Sequence, residues 1–206
     1  TPDLEYNLNT DIGFYANGGR VVNKKTVLTS REGYYYASLK EIYFKKDVNL
    51  IDPAYKIKTD YLLYNTATQT NRFIAKTIIT DSTGRQIETQ DGYYRGGKAE
   101  FGMRPIVKDG ATTVIGDRIA FNDSTGTSQA IGNVIVTDTA QGTTLITNQL
   151  FRENKGNRTL ATGKPLLIIK QESDSLFLTA DTIFSASITP EPINQNSKDS
   201  IKGEKG

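Results

Sequence analysis

An aromatic residue followed, about fourteen positions on, by an aliphatic one returns along almost the whole chain, and this rhythm constrains the fold more than any other feature. The aromatic positions are Tyr6, Tyr34, Tyr64, Tyr93, Phe121, Phe151 and Phe184, with gaps of 28, 30, 29, 28, 30 and 33 residues. The aliphatic positions are Val21, Val48, Ile78, Ile106, Val134 and Leu166, with gaps of 27, 30, 28, 28 and 32. Self-similarity at one spacing marks stacked supersecondary units, each unable to bury its apolar face alone. The rhythm runs without a seam, so residues 1–187 read as one elongated body. Asp3-Leu-Glu-Tyr6 already lies inside the pattern, which predicts a further strand upstream. From Ile188 the rhythm stops, and 188–206 reads as a disordered polar tail or linker, too poor in large apolar residues to order itself.

The repeating unit is β. Ile42, Phe44, Val48 and Leu50 share one parity and Tyr43, Lys45, Asp47 and Asn49 the other, with Lys46 the exception. Thr113, Ile115, Asp117, Ile119 and Phe121 likewise fall together. Alternation with period two places one side of a strand on a core and the other in water. Turn residues fall between the beats, including Asp52-Pro53, Asp81-Ser-Thr-Gly84, Gly96-Gly97, Asp123-Ser-Thr-Gly126 and Gln141-Gly142. The expected fold class is therefore all-β, with two strands in each repeat of ~29 residues.

Counting removes whole classes of function. There is no His and no Cys, so serine–histidine and cysteine–histidine catalysis and the commonest zinc sites are excluded. The net charge of +2 is spread along the chain and gives no footprint for nucleic acid. Leu166-Leu-Ile-Ile169 is the longest aliphatic run, far short of the ~20 residues of a membrane-spanning helix. Asp81-Ser-Thr-Gly84 and Asp123-Ser-Thr-Gly126 have one residue too many for an aspartic-protease motif and sit where hairpin turns are required. Asp3, Asp60, Asp117 and Asp181 recur before the aromatic beats; they read as caps of turns or bulges rather than as a cation ladder. Gly33-Tyr-Tyr-Tyr36 and Gly92-Tyr-Tyr94 put tyrosines on both faces of a strand, which leaves a glycan-stacking surface open as an alternative. No cofactor, metal site or catalytic residue is predicted, and the chain is not read as an enzyme.

Three segments then carry a family resemblance. Asp60-Tyr-Leu-Leu-Tyr64-Asn, Gly116-Asp-Arg-Ile-Ala-Phe121-Asn and Ala130-Ile-Gly-Asn-Val134-Ile-Val-Thr-Asp138 are similar to the repeats of the OstA-like, or LptA-like, lipopolysaccharide-transport family. The resemblance covers roughly residues 3–184, although only 132–134 carries a full Gly-Asn-Val. Elsewhere the chain has Lys46-Asp-Val48, Lys76-Thr-Ile78, Arg104-Pro-Ile106 and Lys164-Pro-Leu166.

The resemblance implies a twisted, partly open β-jelly roll whose two sheets part like a V around lipopolysaccharide acyl chains. It also implies a periplasmic location, extending to association with the outer membrane, and end-to-end strand pairing with other jelly-roll transport proteins or with further copies of itself. The expected lining of the lipid groove is Ile42, Phe44, Val48, Leu50, Ile115, Ile119, Phe121, Val134 and Val136. The alternatives are a glycan-binding or a purely structural β-repeat module of the cell envelope.

Overall fold

The computed structural model describes residues 1, 3–172 and 174–187; the tail at 188–206 lies outside the described residues. Within them the chain is all β, without a helix. It opens with β1 (Glu5–Asn7), β2 (Ile12–Tyr15), β3 (Gly19–Asn23), β4 (Thr26–Ser30) and β5 (Glu32–Tyr36). Two strands of 11 residues follow, β6 (Glu41–Ile51) and β7 (Tyr55–Asn65). The middle of the chain supplies β8 (Thr70–Phe73), β9 (Thr77–Asp81), β10 (Gln86–Thr89), β11 (Asp91–Arg95) and β12 (Lys98–Gly102). Then come β13 (Ile106–Asp109), β14 (Thr112–Ile115) and β15 (Arg118–Asn122), and two more long strands, β16 (Thr127–Asp138) and β17 (Thr143–Glu153). The last are β18 (Arg158–Thr162), β19 (Leu166–Lys170), β20 (Ser175–Thr179) and β21 (Thr182–Ser185).

All pairings are antiparallel, and they sort into two leaves. The first runs β1-β2-β5-β6-β7-β8-β11-β12-β15-β16-β17-β18-β21, and the second β3-β4-β6-β7-β9-β10-β13-β14-β16-β17-β19-β20. The four long strands belong to both. In β6, Glu32–Tyr36 of β5 pairs with Glu41–Lys45, whereas β4 pairs with Asn49–Ile51. Elsewhere the same passage is broken into two short strands, as β4 and β5 are around Arg31. The chain is thus a to-and-fro meander of bent strands, folded over into an incomplete jelly roll. At the usual inter-strand spacing a dozen such passes stack to roughly 60 Å. Among the described residues no pairing joins β1 or β3 to β20 or β21, so both ends are open edges.

Each bend must leave no buried backbone group unpaired. In one set of passes the bend is a bulge of two residues at positive φ: Lys46-Asp47, Met103-Arg104, Gly132-Asn133 and Gly163-Lys164. Two residues there oppose one on the partner strand, which accounts for Lys46 as the exception to the alternation of β6. The residue after the bulge points inward and is sealed off from solvent: Val48, Pro105, Val134 and Pro165, with Thr77 at the equivalent corner, where it opens β9. The aliphatic beat read from the sequence therefore coincides with the buried corner only at Val48 and Val134. At the other three corners that place is taken by Thr77, Pro105 and Pro165, and the register puts Ile78, Ile106 and Leu166 one step on, in the outward row. Proline suits the spot because it has no N–H to leave unpaired.

In the intervening passes the bend is held by a buried hydroxyl that donates to the carbonyl two residues on. Ser30 bonds Glu32 O at 2.9 Å, Thr59 bonds Tyr61 O at 3.3 Å, Thr89 bonds Asp91 O at 2.7 Å and Thr147 bonds Gln149 O at 3.3 Å. At the β14–β15 corner buried Gly116 takes the hydroxyl residue's place, and Asp117 after it bridges the adjacent bulges, accepting from Asn133 Nδ2 at 2.8 Å and from Arg104 Nη1 at 3.2 Å. Asp60 and Asp117 thus take the bulge-capping role expected of the recurring aspartates, Asp60 by accepting from the Asp47 N–H.

Replacing Thr59 or Thr147 by valine keeps the shape but strands buried carbonyls, so each should cost about 1–3 kcal/mol in urea unfolding. The exposed-side control Thr113→Val should stay within about 0.5 kcal/mol.

Candidate functional site: an apolar trough between the leaves

The inward row of the second leaf is aliphatic from one edge to the other. Starting at β3, the register pairs Val21 with Leu28, Leu28 with Leu50, Leu50 with Ile57 and Ile57 with Ile79. It continues Ile79–Ile87, Ile87–Val107, Val107–Val114 and Val114–Val136. Val136–Leu145, Leu145–Leu167 and Leu167–Leu178 complete it at β20. No polar side chain interrupts this ladder. Facing it, the first leaf presents Phe44, Leu62, Phe73, Phe101, Ile119, Ala130, Leu150 and Ala161, all buried. Gly92 stands between Phe73 and Phe101 in that row. A Cβ on it would come within 2.8 Å of the Phe101 ring, so its absence lets the two rings meet at 6.0 Å.

The leaves close on each other at the corners and diverge toward the hairpins, leaving three cavities in series. The first, about 360 Å³, is lined by Val21, Leu28, Leu50, Tyr64 and Tyr94 among others. The second, about 240 Å³, lies among Ile57, Phe73, Ile79, Ile87 and Phe101. The third, about 210 Å³, lies among Val107, Val114, Ile119, Ala130 and Leu150. Tyr55 and Tyr94 line both the first and the second, and Arg85 and Phe121 both the second and the third. Toward the C-terminal edge the lining emerges into solvent, with Leu176 54% and Leu178 49% exposed.

Two contacts span the mouth. The Tyr55 and Tyr94 rings meet edge to face at 5.5 Å, and the Arg85 guanidinium lies 5.0 Å from the centre of the Phe121 ring. Burial pushes the Tyr55 phenol up to about 12, helped by Asp52 and by Tyr94 and Tyr64. Burial and Asp123 raise Tyr94 as well. Burial works to raise the Asp81 carboxyl, but hydrogen bonds from Thr83 and the Arg85 charge outweigh it and hold the group below the usual range. Among the described residues no group of three or more acidic side chains is placed to hold a metal ion. The chemistry available to the trough is apolar contact, with a few charges at its lip.

Of the residues expected to line a groove, Phe44, Val48, Leu50, Ile119 and Val134 are buried in the core, and Ile42, Phe121 and Val136 pack against it. Ile115 stands apart. It pairs with Ile106 and Ile135 in the row facing away from the core, while its neighbour Val114 faces inward. The break at Gly116-Asp117 between β14 and β15 switches the face, so the parity that joined Ile115 to Ile119 does not carry through the corner. The aromatic beats also divide. Tyr64 and Phe121 pack on the core, whereas Tyr34, Tyr93, Phe151 and Phe184 fall in one outward row of the first leaf.

Most of the ladder, including Ile57, Ile79, Ile87, Val107, Val114 and Leu145, was missed in the sequence. A signal was present. Leu50-Ile-Asp52, Ile79-Thr-Asp81, Val107-Lys-Asp109 and Val136-Thr-Asp138 repeat an aliphatic residue two positions before a turn aspartate. The tyrosine surface also differs from a bare stacking platform, because Lys45 Nζ sits 4.7 Å from the Tyr34 ring and 5.3 Å from that of Tyr61.

Fold and trough together define an open-ended all-β jelly roll with a hydrocarbon-like interior. Residues 1–60 match the family model described as OstA-like protein, the family that the strand motifs from Asp60 onward resemble. Among solved structures, the chain is similar to LptH, the LptA homologous periplasmic component of the conserved lipopolysaccharide transport device from Pseudomonas aeruginosa. The identity is 12% and the TM-score 0.29, over 88% of this chain and 97% of that one. No curated protein matches the chain.

Tyr55 gives a test of the mouth. Its phenol is raised from 10.0 to about 12 in the fold, so the stability it lends is complete below pH 10 and lost as pH rises through about 12. Urea midpoints measured from neutral into alkaline pH should fall less in Tyr55→Phe than in the parent.

Proposed function

We propose that the chain is a non-enzymatic lipid-transport module of the lipopolysaccharide pathway, whose trough shelters acyl chains on their way through the periplasm between inner and outer membrane. The observation that carries this reading is the uninterrupted aliphatic ladder from Val21 to Leu178, walled by cavities rather than packed shut. Burying hydrocarbon contributes on the order of 0.8 kcal/mol per methylene, so part of one acyl chain gives usable affinity without a directional contact. That attraction has no preferred register along the ladder, which lets a chain slide. The OstA-like match over residues 1–60 and the strand motifs support lipopolysaccharide as the lipid class.

The same ladder supports end-to-end assembly. It begins on β3 and ends on β20, each an open edge of the second leaf with a neighbour on one side only. The strands of this leaf alternate in direction, and β3 and β20 run opposite ways. Pairing β20 with β3 of a following module would be antiparallel and would bring Leu178 alongside the next Val21. Exposed edges of this kind are templates for strand addition.

The test is photo-crosslinking at two adjacent positions. A photoreactive residue at Val114 should label with lipopolysaccharide acyl chains, and one at Ile115 should not. Equal labelling at both positions, or none at Val114 in a folded protein, would contradict the reading.

For the assembly, Leu178→Lys should reduce chemical crosslinking between modules while leaving thermal stability nearly unchanged, since Leu178 is 49% exposed.

A further inference from the structure

We propose that Tyr55–Tyr94 and Arg85–Phe121 act as two side-chain clasps across the mouth of the trough, deciding which lipids reach its middle from the side. The inference rests on the trough being a hydrocarbon site. Tyr55 opens β7 in the second leaf and Tyr94 lies in β11 of the first; Arg85 sits in the β9–β10 hairpin of the second leaf and Phe121 in β15 of the first. Both contacts therefore join leaves that no strand ladder joins at this point. They are an edge-to-face ring pair and a cation over a ring, which part by side-chain rotation without breaking a backbone hydrogen bond.

Arg85 is held in the closed position from behind. Its Nε lies 2.9 Å from Asp81 Oδ2, and Asp81 is itself fixed by the Thr83 hydroxyl at 2.6 Å and by the Thr83 and Arg85 N–H groups at 2.9 and 3.0 Å. The Nε is nevertheless buried without a properly directed hydrogen bond. Each clasp is shared by two successive cavities and narrows the passage between them at the mouth, so opening both widens the three into one channel. Among the described residues no other aromatic or cation–π contact crosses between the leaves at the mouth. The covered section is the middle, and both ends are left uncovered.

The consequence is selection by architecture of the lipid. A single-chain amphiphile can thread beneath closed clasps from an open end. An amphiphile with several chains on one bulky headgroup, which must stay outside, cannot enter the middle until the clasps part.

Because the chain has no cysteine, a pair introduced as Tyr55→Cys and Tyr94→Cys can be joined cleanly by a short cleavable bis-maleimide. A photoreactive residue at Ile87, beneath both clasps, then reports arrival in the middle, and one at Val21 reports entry at the uncovered end. The probes are purified lipid A and a fatty acid. Tethering should abolish lipid A labelling at Ile87, leave fatty-acid labelling there unchanged and leave Val21 labelled by both; cleaving the tether should restore lipid A at Ile87. Combining Tyr94→Ala with Arg85→Gln should speed lipid A labelling at Ile87 several-fold, while Tyr94→Phe, which keeps the ring, should match the parent. Lipid A reaching Ile87 at the parental rate in the tethered protein, or no acceleration in the double variant, would overturn the clasps. Failure to label Val21 with either probe in the parent would instead overturn the trough reading on which they rest.

Discussion

The structure depends on how a long strand bends without exposing or orphaning its backbone. Each pass of the meander serves two leaves, and the bend falls where the core is densest, so every N–H and C=O there needs a partner. The chain meets this in two alternating ways. One is a positive-φ bulge followed by a sealed residue, as at Lys46-Asp47-Val48 and Gly132-Asn133-Val134; the other is a buried hydroxyl, as at Thr59 and Thr147. With the bends fixed, the leaves are set at an angle, close together at the corners and apart toward the hairpins.

The trough follows from that angle. Near the corners the inward side chains interdigitate and seal, which is where Phe44, Leu62, Phe73 and Phe101 sit with almost no exposure. Farther out the same inward parity continues along the strands, but the opposite leaf has moved away. The aliphatic ladder of the second leaf then has too little protein to pack against, and cavities remain. Only in the middle does the protein fill the gap, with Tyr55, Tyr94, Arg85 and Phe121 reaching across. One geometrical fact, the bend, thereby yields a stable core and an unfilled apolar surface in the same strands.

The repeat period was legible because each pair of passes must return to the same corner, and this spacing survives substitution of the residues that mark it. The all-β class, the hairpin turns at Asp81–Gly84 and Asp123–Gly126 and the bulge-capping role of Asp60 and Asp117 could be read in the same way. Facing was much less legible. Period-two alternation carries through the bulge corners, as at Phe44, Val48 and Leu50, but the intervening corners shift it by a residue, so Ile115 was grouped with Ile119 although it faces the other way. The buried corner position escaped for a different reason. A search for branched aliphatics does not register that Thr77, with its hydroxyl bonded to Ala75 O and to Thr59, or Pro105 and Pro165, with no N–H, satisfy the same site. The clasps were invisible, since Arg85 and Phe121 are brought together by the angle of the leaves and by nothing local.

The account stands on the inward ladder of the second leaf being the surface that hydrocarbon touches. Methyl-resolved NMR of isoleucine- and valine-labelled protein, titrated with an acyl lipid, tests this directly. The account predicts shifts confined to the inward methyls of Ile57, Ile79, Ile87, Val107 and Val114, with their outward neighbours Ile78, Ile106, Ile115 and Ile135 unmoved. Shifts concentrated on the outward set, or a saturating titration that moves neither, would contradict it.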